Sequence, residues 1–311
     1  MDRPLRVVFF ILMHKNPQQA IRLIERLDSP TSTFIVHVDR RSADTISRPI
    51  EEFAAARCHV HCAPRQPCYW AGFGIVLATL ECMRTALQLA EPFDYAVLLS
   101  GQDYPIKPPQ KIFAHLRAQR GKQLIESFRL DQPNRWSADQ KAGGAMHRIG
   151  WYHLAIRSHW VHVPIERRLP AGLLPFGGAQ WWCLTRDCLG DIVAFVDGNP
   201  QVLKFFRNVF ISDEVFFQTL ISNSRFAGDI TGEDLHYVDW TRPNPLAPRL
   251  LEASDFERLC ASEKLFARKF DAARDARILD RIDREILFVR SDHSAAQRAG
   301  DDRPSVRRVM A

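Results

Sequence analysis

The chain has 311 residues, of which 46% are hydrophobic and 25% are charged, as is ordinary for a folded globular protein. Its net charge of +6 permits an anionic partner such as a nucleotide, an acidic membrane leaflet or nucleic acid. The basic residues are scattered, so nucleic acid is not favoured. The seven cysteines are odd in number and irregularly spaced, which argues against a disulfide framework and for reduced thiols in a cytosolic protein.

The first apolar segment, Val7–Met13, follows Arg3 and Arg6 and could be mistaken for a targeting signal. It is too short for a bilayer, which needs about 20 apolar residues, and no small-residue cleavage site follows it. A continuous apolar run is typical of a parallel strand that is buried on both faces. We therefore interpret Val7–Met13 as the first strand of a sheet and expect no transmembrane segment.

Strands and helices are predicted to alternate through the first hundred residues. Asn16 and Pro17 can begin a helix in which Ala20, Leu23 and Leu27 share one face. Further strands are predicted at residues 34–38, near 58–62 and at 94–100, with a long amphipathic helix at 75–90. The Cys-His-Val-His-Cys run at 58–62 resembles a metal site, but alternate residues of a strand point to opposite faces. A metal is not favoured there.

This alternating order predicts a mostly parallel sheet, and such sheets bind ligands at the carboxyl ends of their strands. Asp39 and Asp103 both follow predicted strands and fall at such ends. Neither a Gly-rich dinucleotide fingerprint nor a P-loop follows the first strand, so those two nucleotide-binding folds lose support.

The second half is less regular. Residues 146–170 mix aromatic and arginine side chains, which suits a carbohydrate-contacting wall, a membrane-surface patch or plain packing. Strands are predicted at 123–128, after the glycines at 177 and 178 and at 235–240, and helices at 213–223 and 273–287. From residue 291 onward the chain is polar and is expected to fray.

Residues 262–273 place Lys264, Arg268 and Lys269 among apolar side chains. Arg268 and Lys269 are adjacent and are flanked by Phe266 and Phe270. Arginine grips phosphate with two parallel hydrogen bonds and lysine adds a compact point charge, so the pair suits a diphosphate. The alternative is a solvated basic face with the phenylalanines in the core.

Six motifs, in order from about residue 5 to 286, resemble glycosyltransferase family 14, which contains core-2/I-branching β-1,6-N-acetylglucosaminyltransferases and peptide O-xylosyltransferases. They are His37-Val38-Asp39-Arg40-Arg41-Ser42, Trp70-Ala71-Gly72, the Leu-Leu-Ser-Gly-Gln-Asp-Tyr-Pro-Ile-Lys run at 98–107, Gly178-Ala179-Gln180-Trp181, Ser212-Asp213-Glu214 and the Leu-Phe-Ala-Arg-Lys-Phe-Asp run at 265–271. The chain departs from the family at Ala179, where serine is usual. We also expect that it does not share the membrane anchor, stem and disulfide pattern of the animal Golgi enzymes.

The resemblance implies a GT-A fold: an α/β domain with a mostly parallel central sheet flanked by helices. We expect one domain over residues 1–290, with a Rossmann-like nucleotide-sugar half at 1–110 that merges with an acceptor and catalytic half at 111–290. Residues 291–311 are expected to form a disordered polar tail.

An enzyme that inverts a UDP-α-sugar to a β-glycoside needs one carboxylate base, worth about 10²–10⁴-fold in rate. Glu214 corresponds to the base of the family. Its alternative role is to stabilise a helix N-terminus, worth about 0.3–1 kcal/mol. Asp213, beside it, is interpreted as a helix cap.

The leaving UDP carries about two negative charges, which most GT-A enzymes neutralise with a metal held by an Asp-x-Asp pair. Here the strand ends in one acid, Asp103, whereas Arg268 and Lys269 match the cationic site of the family. Each cation at about 4 Å contributes roughly 4 kcal/mol at an effective dielectric near 20. We therefore expect no metal and no other cofactor, with Asp103 positioning the nucleotide sugar and Asp39 the uridine. For Asp39 the alternative is a plain turn acid that follows a strand.

Trp181 could stack on an acceptor sugar or pack in the core. Together these features predict an inverting, metal-independent glycosyltransferase that moves xylose or N-acetylglucosamine from a UDP-sugar to a hydroxyl of a glycan or other acceptor. A non-catalytic nucleotide-sugar-binding protein and a basic nucleic-acid-binding protein are the alternatives. We expect a cytoplasmic location, and peripheral contact with a membrane is compatible with the sequence.

Overall fold

The computed structural model describes residues 3–137, 144–156, 159–163, 165–241 and 247–288. The polar tail predicted for 291–311 lies outside these residues. The helices are α1 (Pro17–Leu27), α2 (Asp44–Ala55), α3 (Gly74–Leu87), α4 (Pro109–Ala118), α5 (Gly144–Gly150), α6 (Arg186–Gly198), α7 (Pro200–Phe206), α8 (Phe216–Ser222), α9 (Phe256–Ala261) and α10 (Arg277–Glu285). The strands are β1 (Val7–Met13), β2 (Ser32–Val38), β3 (Val60–Cys62), β4 (Tyr95–Ser100), β5 (Asp103–Pro105), β6 (Leu124–Ile125), β7 (Phe128–Arg129), β8 (Tyr152–Ile156), β9 (His159–Val163), β10 (Phe176–Gly177), β11 (Trp182–Thr185), β12 (His236–Val238) and β13 (Phe266–Arg268).

A six-stranded sheet in the order β3-β2-β1-β4-β11-β6 forms the centre of the fold. The first four of these strands are parallel, and β11 runs antiparallel to both of its neighbours. Successive residues of β1 pack into different hydrophobic clusters, with Phe9 and Ile11 in one and Val8 and Phe10 in the other. Burying such side chains contributes roughly 1.5–3 kcal/mol each. The predicted α/β architecture with a mostly parallel sheet is therefore confirmed.

A second, three-stranded sheet in the order β12-β13-β5 brings the end of the chain back to the central sheet. Its strand β13 is parallel to β12 and antiparallel to β5. Since β5 begins three residues after β4 ends, this small sheet holds β13 beside the carboxyl edge of the central sheet.

Two predicted elements differ from the structure. The strand predicted at 123–128 is divided between β6 and β7, which belong to separate sheets. The helix predicted at 213–223 begins only at Phe216, because Ser212–Glu214 forms a separate 3-10 turn and Val215, with φ of −128°, interrupts the helical backbone. Among the described residues, no helix is both long and apolar enough to cross a membrane. All seven cysteines, which lie within the described ranges, carry free thiols.

Candidate active site

A cleft of about 480 Å³ lies at the carboxyl edge of the parallel strands. Met13 and Ser100, the last residues of β1 and β4, line it together with Asp39, which follows β2. Four other side chains predicted to be functional also line it: Trp181, Glu214, Arg268 and Lys269. The fold thus brings residues from the two ends of the chain to one place.

Arg268 is held by a buried carboxylate beneath the cleft. Arg268 on β13 pairs with Asp103 on β5, and its Nε donates to Oδ1 of Asp103 over 3.0 Å. Ser100 donates to the same carboxylate twice, from its backbone N–H over 2.7 Å and from its hydroxyl over 2.8 Å. The Nε2 atom of His236 lies 3.4 Å from Oδ2. Charge-assisted hydrogen bonds of this kind fix an arginine in one orientation.

Asp103 itself is 0% exposed and does not line the cleft. Burial would raise its pKa, but the charge of Arg268, with His236 and Ser100, outweighs burial and lowers the pKa overall. The carboxyl group is therefore held ionised. The expectation that Asp103 positions the nucleotide sugar stays a prediction. Its oxygens are engaged by Ser100 and Arg268, so we expect it to act on a ligand through Arg268.

Arg268, Lys269 and Lys15 form a cationic region in the lining of the cleft. Arg41 and the imidazole of His14 line the cleft as well. Burial lowers the pKa of Lys269, and the charges of Arg268 and Lys15 lower it further. Burial and the charges of Lys15 and Lys269 also lower the pKa of His14. Although Asp271 accepts a hydrogen bond from Lys15 over 2.6 Å, Lys269 has no ion-pair partner within the described part of the chain. Repulsion between neighbouring positive charges contributes to the lowered pKa values of Lys269 and His14. A bound anion would relieve this repulsion.

Asp39 holds together two loops that border the cleft. It is 6% exposed, and its Oδ1 accepts from the backbone N–H groups of Arg41 and Cys68 over 2.9 and 3.1 Å. One oxygen therefore holds two loops together. Its predicted contact with the uridine stays a prediction, since these bonds also explain an aspartate at this position.

Glu214 lies in the wall of the cleft with its side chain 25% exposed. Its Oε2 accepts from Nη1 of Arg148 over 3.0 Å. Burial raises the pKa of Glu214, while the positive charges of Arg148 and Arg135 oppose that rise. A carboxylate with a raised pKa is a stronger base than a solvated one, and the arginine keeps it ionised. Glu214 is thus both accessible and electrostatically suited to accept a proton.

The backbone beside Glu214 is fixed by a close approach of two segments. The N–H of Gly178 donates to the carbonyl of Glu214 over 3.0 Å. A Cβ atom at position 178 would lie 2.0 Å from the carbonyl oxygen of Glu126, so only glycine fits without a shift of the backbone. This contact explains the glycine that precedes Ala179 in the motif.

Asp213 is not a helix cap, which corrects the sequence interpretation. The residue that precedes α8 is Val215, and Asp213 lies within the 3-10 turn. Its side chain lines the cleft and is 6% exposed. Burial, with a smaller effect of the Glu214 charge, raises the pKa of Asp213 to about 7.

The aromatic residues of the cleft differ from the sequence expectation. Trp181 is only 5% exposed, the guanidinium of Arg268 lies 4.2 Å from its ring centroid, and the His236 ring is 5.0 Å away. Little of this ring is available to stack on an acceptor, so its exposure favours the packing alternative. Tyr69, Trp70 and Trp240, which sequence reasoning did not assign to the site, line the same cleft and are 55%, 54% and 52% exposed. The adjacent aromatic residues Tyr69 and Trp70 could have suggested a ligand-binding surface, but their exposure cannot be predicted from the sequence alone.

A family model described as "Branch: Core-2/I-Branching enzyme" matches residues 7–260 of the chain. The match therefore covers most of the residues and includes Asp39, Asp103 and Glu214. It ends before Arg268 and Lys269.

Xylosyltransferase 2 of Homo sapiens is 26% identical to the chain over 305 residues, which cover 90% of this chain and 33% of that protein. Xylosyltransferase oxt of Drosophila melanogaster is 25% identical over 288 residues, covering 86% of this chain and 32% of the relative. The chain thus spans about a third of the length of these curated relatives. A solved structure, 4-diphosphocytidyl-2C-methyl-D-erythritol synthase from Anaerococcus prevotii, matches with a TM-score of 0.33 and 9% identity over 65% of this chain and 82% of that chain.

Proposed function

Because the chain belongs to the Core-2/I-branching enzyme family, we propose that it transfers a sugar from a UDP-sugar to a hydroxyl group, with inversion and without a metal. The observation that carries this proposal is one cleft with a cationic region of Arg268, Lys269 and Lys15 and an accessible carboxylate, Glu214. A diphosphate suits the cations, and a hydroxyl that must lose a proton suits the carboxylate.

The proposed reaction is a single displacement. The acceptor oxygen forms a bond to the anomeric carbon while the bond from that carbon to the diphosphate oxygen breaks. The acceptor proton passes to a carboxylate oxygen of Glu214, and the electron pair of the broken bond stays on UDP. Arg268 and Lys269 stabilise the negative charge that develops on the leaving oxygen, which is the step where fixed charges are most effective. Attack from the face opposite UDP gives the β-glycoside.

Metal independence is supported by the surroundings of Asp103, the acid that follows β4. Asp103 is fully buried and ion-paired with Arg268, so it offers no free oxygen to a cation in the cleft. A divalent ion would also meet the repulsion of Arg268 and Lys269, since like charges at similar distances repel as strongly as opposite charges attract. The residues present therefore suit direct charge compensation by the protein.

The names of the relatives bear on the donor sugar, and the exposed aromatic rings bear on the acceptor. Both relatives described above are named xylosyltransferases, which favours xylose over N-acetylglucosamine as the transferred sugar. The exposed rings of Trp70 and Trp240 at the rim suit stacking on the apolar face of a sugar, so we propose a glycan acceptor that contacts them.

The test is a direct measurement of donor binding and transfer. Thermal unfolding is followed with UDP, UDP-xylose, UDP-N-acetylglucosamine and UDP-glucose, because a ligand stabilises a protein according to its concentration relative to Kd. Release of UDP from the selected donor is then measured with and without acceptor glycans. Stabilisation by a UDP-sugar with acceptor-dependent UDP release supports the proposal. Stabilisation without any UDP release indicates a non-catalytic binding protein, and stabilisation by none of the four ligands contradicts the proposal.

A further inference from the structure

One carboxylate of the cleft is not used by the proposed reaction. Asp213 precedes the proposed base and lines the same cleft, but its Oδ1 atom is buried and has no hydrogen-bond partner within the described ranges. Buried carboxylate oxygens are normally paired, because an unpaired one loses its hydration without compensation. Because the residue lines the cleft, a ligand that enters there is a candidate source of the missing donor.

Asp213 lines the same cleft as the proposed base, Glu214, and the cation Arg268. Its carboxyl group interacts electrostatically with Glu214 and Arg148 on the side of the base. It also interacts with Arg268 on the side of the cationic region. In an inverting displacement the sugar ring lies between the base and the leaving diphosphate, because attack and departure occur on opposite faces. Since Asp213 lines the cleft together with Glu214 and Arg268, it can border the ring of a sugar that is held between them.

We propose that Oδ1 of Asp213 accepts a hydrogen bond from a ring hydroxyl of the transferred sugar, which makes Asp213 a residue that binds the sugar of the UDP-sugar. The inference rests on the proposed function, since it assumes a UDP-sugar in the cleft. The hydroxyls at C3 and C4 are common to xylose and N-acetylglucosamine, so either can supply the donor for both candidate sugars. A site that binds a hydroxyl discriminates strongly against an analogue without it, because the protein group is then left unpaired.

The first test compares UDP with the UDP-sugar in Asp213→Ala and Asp213→Asn by titration calorimetry. Asp213→Ala should weaken UDP-xylose or UDP-N-acetylglucosamine, whichever the wild type binds, by about tenfold and leave UDP within about twofold of the wild type. Asp213→Asn, which keeps an acceptor oxygen without the charge, should lie between. Asp187→Ala, which removes an exposed carboxylate in the first turn of α6, is the matched control and should change neither affinity.

The second test identifies the hydroxyl with a double-mutant cycle. The 3-deoxy and 4-deoxy forms of the UDP-sugar are titrated into the wild type and into Asp213→Ala. One analogue should bind the wild type about tenfold more weakly than the parent, and the same analogue and the parent should bind Asp213→Ala alike. Losses that multiply for both analogues would overturn the inference, as would equal weakening of UDP and UDP-sugar.

The outcomes also separate this inference from the proposed function. A wild type that binds neither UDP nor a UDP-sugar overturns both. A wild type that transfers sugar, with an unchanged ratio of UDP to UDP-sugar affinity in Asp213→Ala, overturns only the role of Asp213. A loss of turnover in Asp213→Asn as large as that in Glu214→Gln, with UDP-sugar affinity unchanged, would make Asp213 the base and would likewise overturn the inference.

Discussion

Asp103 and Arg268 occupy directly opposed positions on β5 and β13, and Nε of Arg268 lies 3.0 Å from Oδ1 of Asp103. The carboxylate is fully buried, whereas the arginine side chain is 15% exposed at the cleft. Only Nε of the guanidinium is engaged by the carboxylate in this pair. We therefore propose that the terminal nitrogens of Arg268 bind the ligand, and that Asp103 holds the arginine without touching the ligand itself.

Asp103→Asn should therefore weaken UDP by about tenfold, because the amide no longer holds the guanidinium with a full charge. Calorimetry measures the affinity. The effect should be largely shared with Arg268→Ala, so the double variant should bind UDP little more weakly than Arg268→Ala alone. Asp229→Asn, which breaks the exposed ion pair with Lys122, serves as control and should leave UDP binding unchanged. Independent, multiplying losses at 103 and 268 would contradict the positioning role.

Arg268→Ala and Lys269→Ala should each lower the affinity for UDP by about tenfold or more and change the affinity for uridine little, because only UDP carries the diphosphate. Parallel titrations with UDP and uridine measure the difference. Lys111→Ala removes an exposed cation of α4 with the same loss of net charge. If the variants at 268 and 269 bind UDP as the Lys111 variant does, the two cations have a structural role only.

Glu214→Gln should lower turnover by about 10²-fold or more and leave UDP binding intact, because the amide cannot accept the acceptor proton. Steady-state transfer assays and UDP titrations measure the two quantities. Glu52→Gln, at an exposed position of α2, is the matched control. Near wild-type turnover in Glu214→Gln would remove this residue from the reaction.

Transfer should survive an excess of EDTA, and added Mn²⁺ should raise it by no more than a small factor. The reason is that the protein cations are proposed to compensate the diphosphate charge, and that Asp103, the acid that follows β4, is buried and paired with Arg268. Initial rates with dialysed protein measure this. Activity that EDTA abolishes and Mn²⁺ restores would show that a metal takes the role proposed for Arg268 and Lys269.

The stability of the free protein should depend on pH through Asp213. Its pKa is about 7 in the folded chain against about 3.9 when unfolded. Between these values the folded state binds the extra proton, so the free energy of unfolding falls as pH rises, by up to about 1.4 kcal/mol per pH unit. Asp213→Asn should lack this pH dependence. The free energy of unfolding of the variant minus that of the wild type, measured by denaturant titration, should therefore increase from about pH 4 to pH 7. A difference that does not change with pH would contradict the raised pKa.

Elements with a strong pattern in their own residues were predictable from the sequence. The apolar run of β1 and the amphipathic face of α1 were placed at the bounds that the structure has, because continuous burial and helical periodicity both leave a direct pattern in the residues. The convergence of Asp39 and Glu214 on one cleft followed from strand order and from the family motifs.

What depended on distant neighbours was not predictable. Trp181 is covered by Arg268 and His236, which are far away in the chain, so its burial could not be read from its own segment. Asp103 follows a strand as a ligand-binding acid would, but its partner on β13 turns it into a buried anchor. The start of α8 was misplaced because two acids ahead of an apolar run resemble a first helical turn, whereas tertiary contacts such as Gly178 N–H to the Glu214 carbonyl hold a separate turn.

The small sheet β12-β13-β5 affects the order in which parts of the cleft can form while the chain is being synthesised. Its central strand, Phe266–Arg268, leaves the ribosome more than 160 residues after β5, with which it pairs. Contacts with such large sequence separation form late, because a long loop must first be closed. The parallel strands and the turn with Glu214 can therefore be in place while the segment proposed to bind the diphosphate is still missing. A nascent chain that ends before β13 is expected to be unable to hold UDP, so donor capture begins only when almost the whole domain has been made.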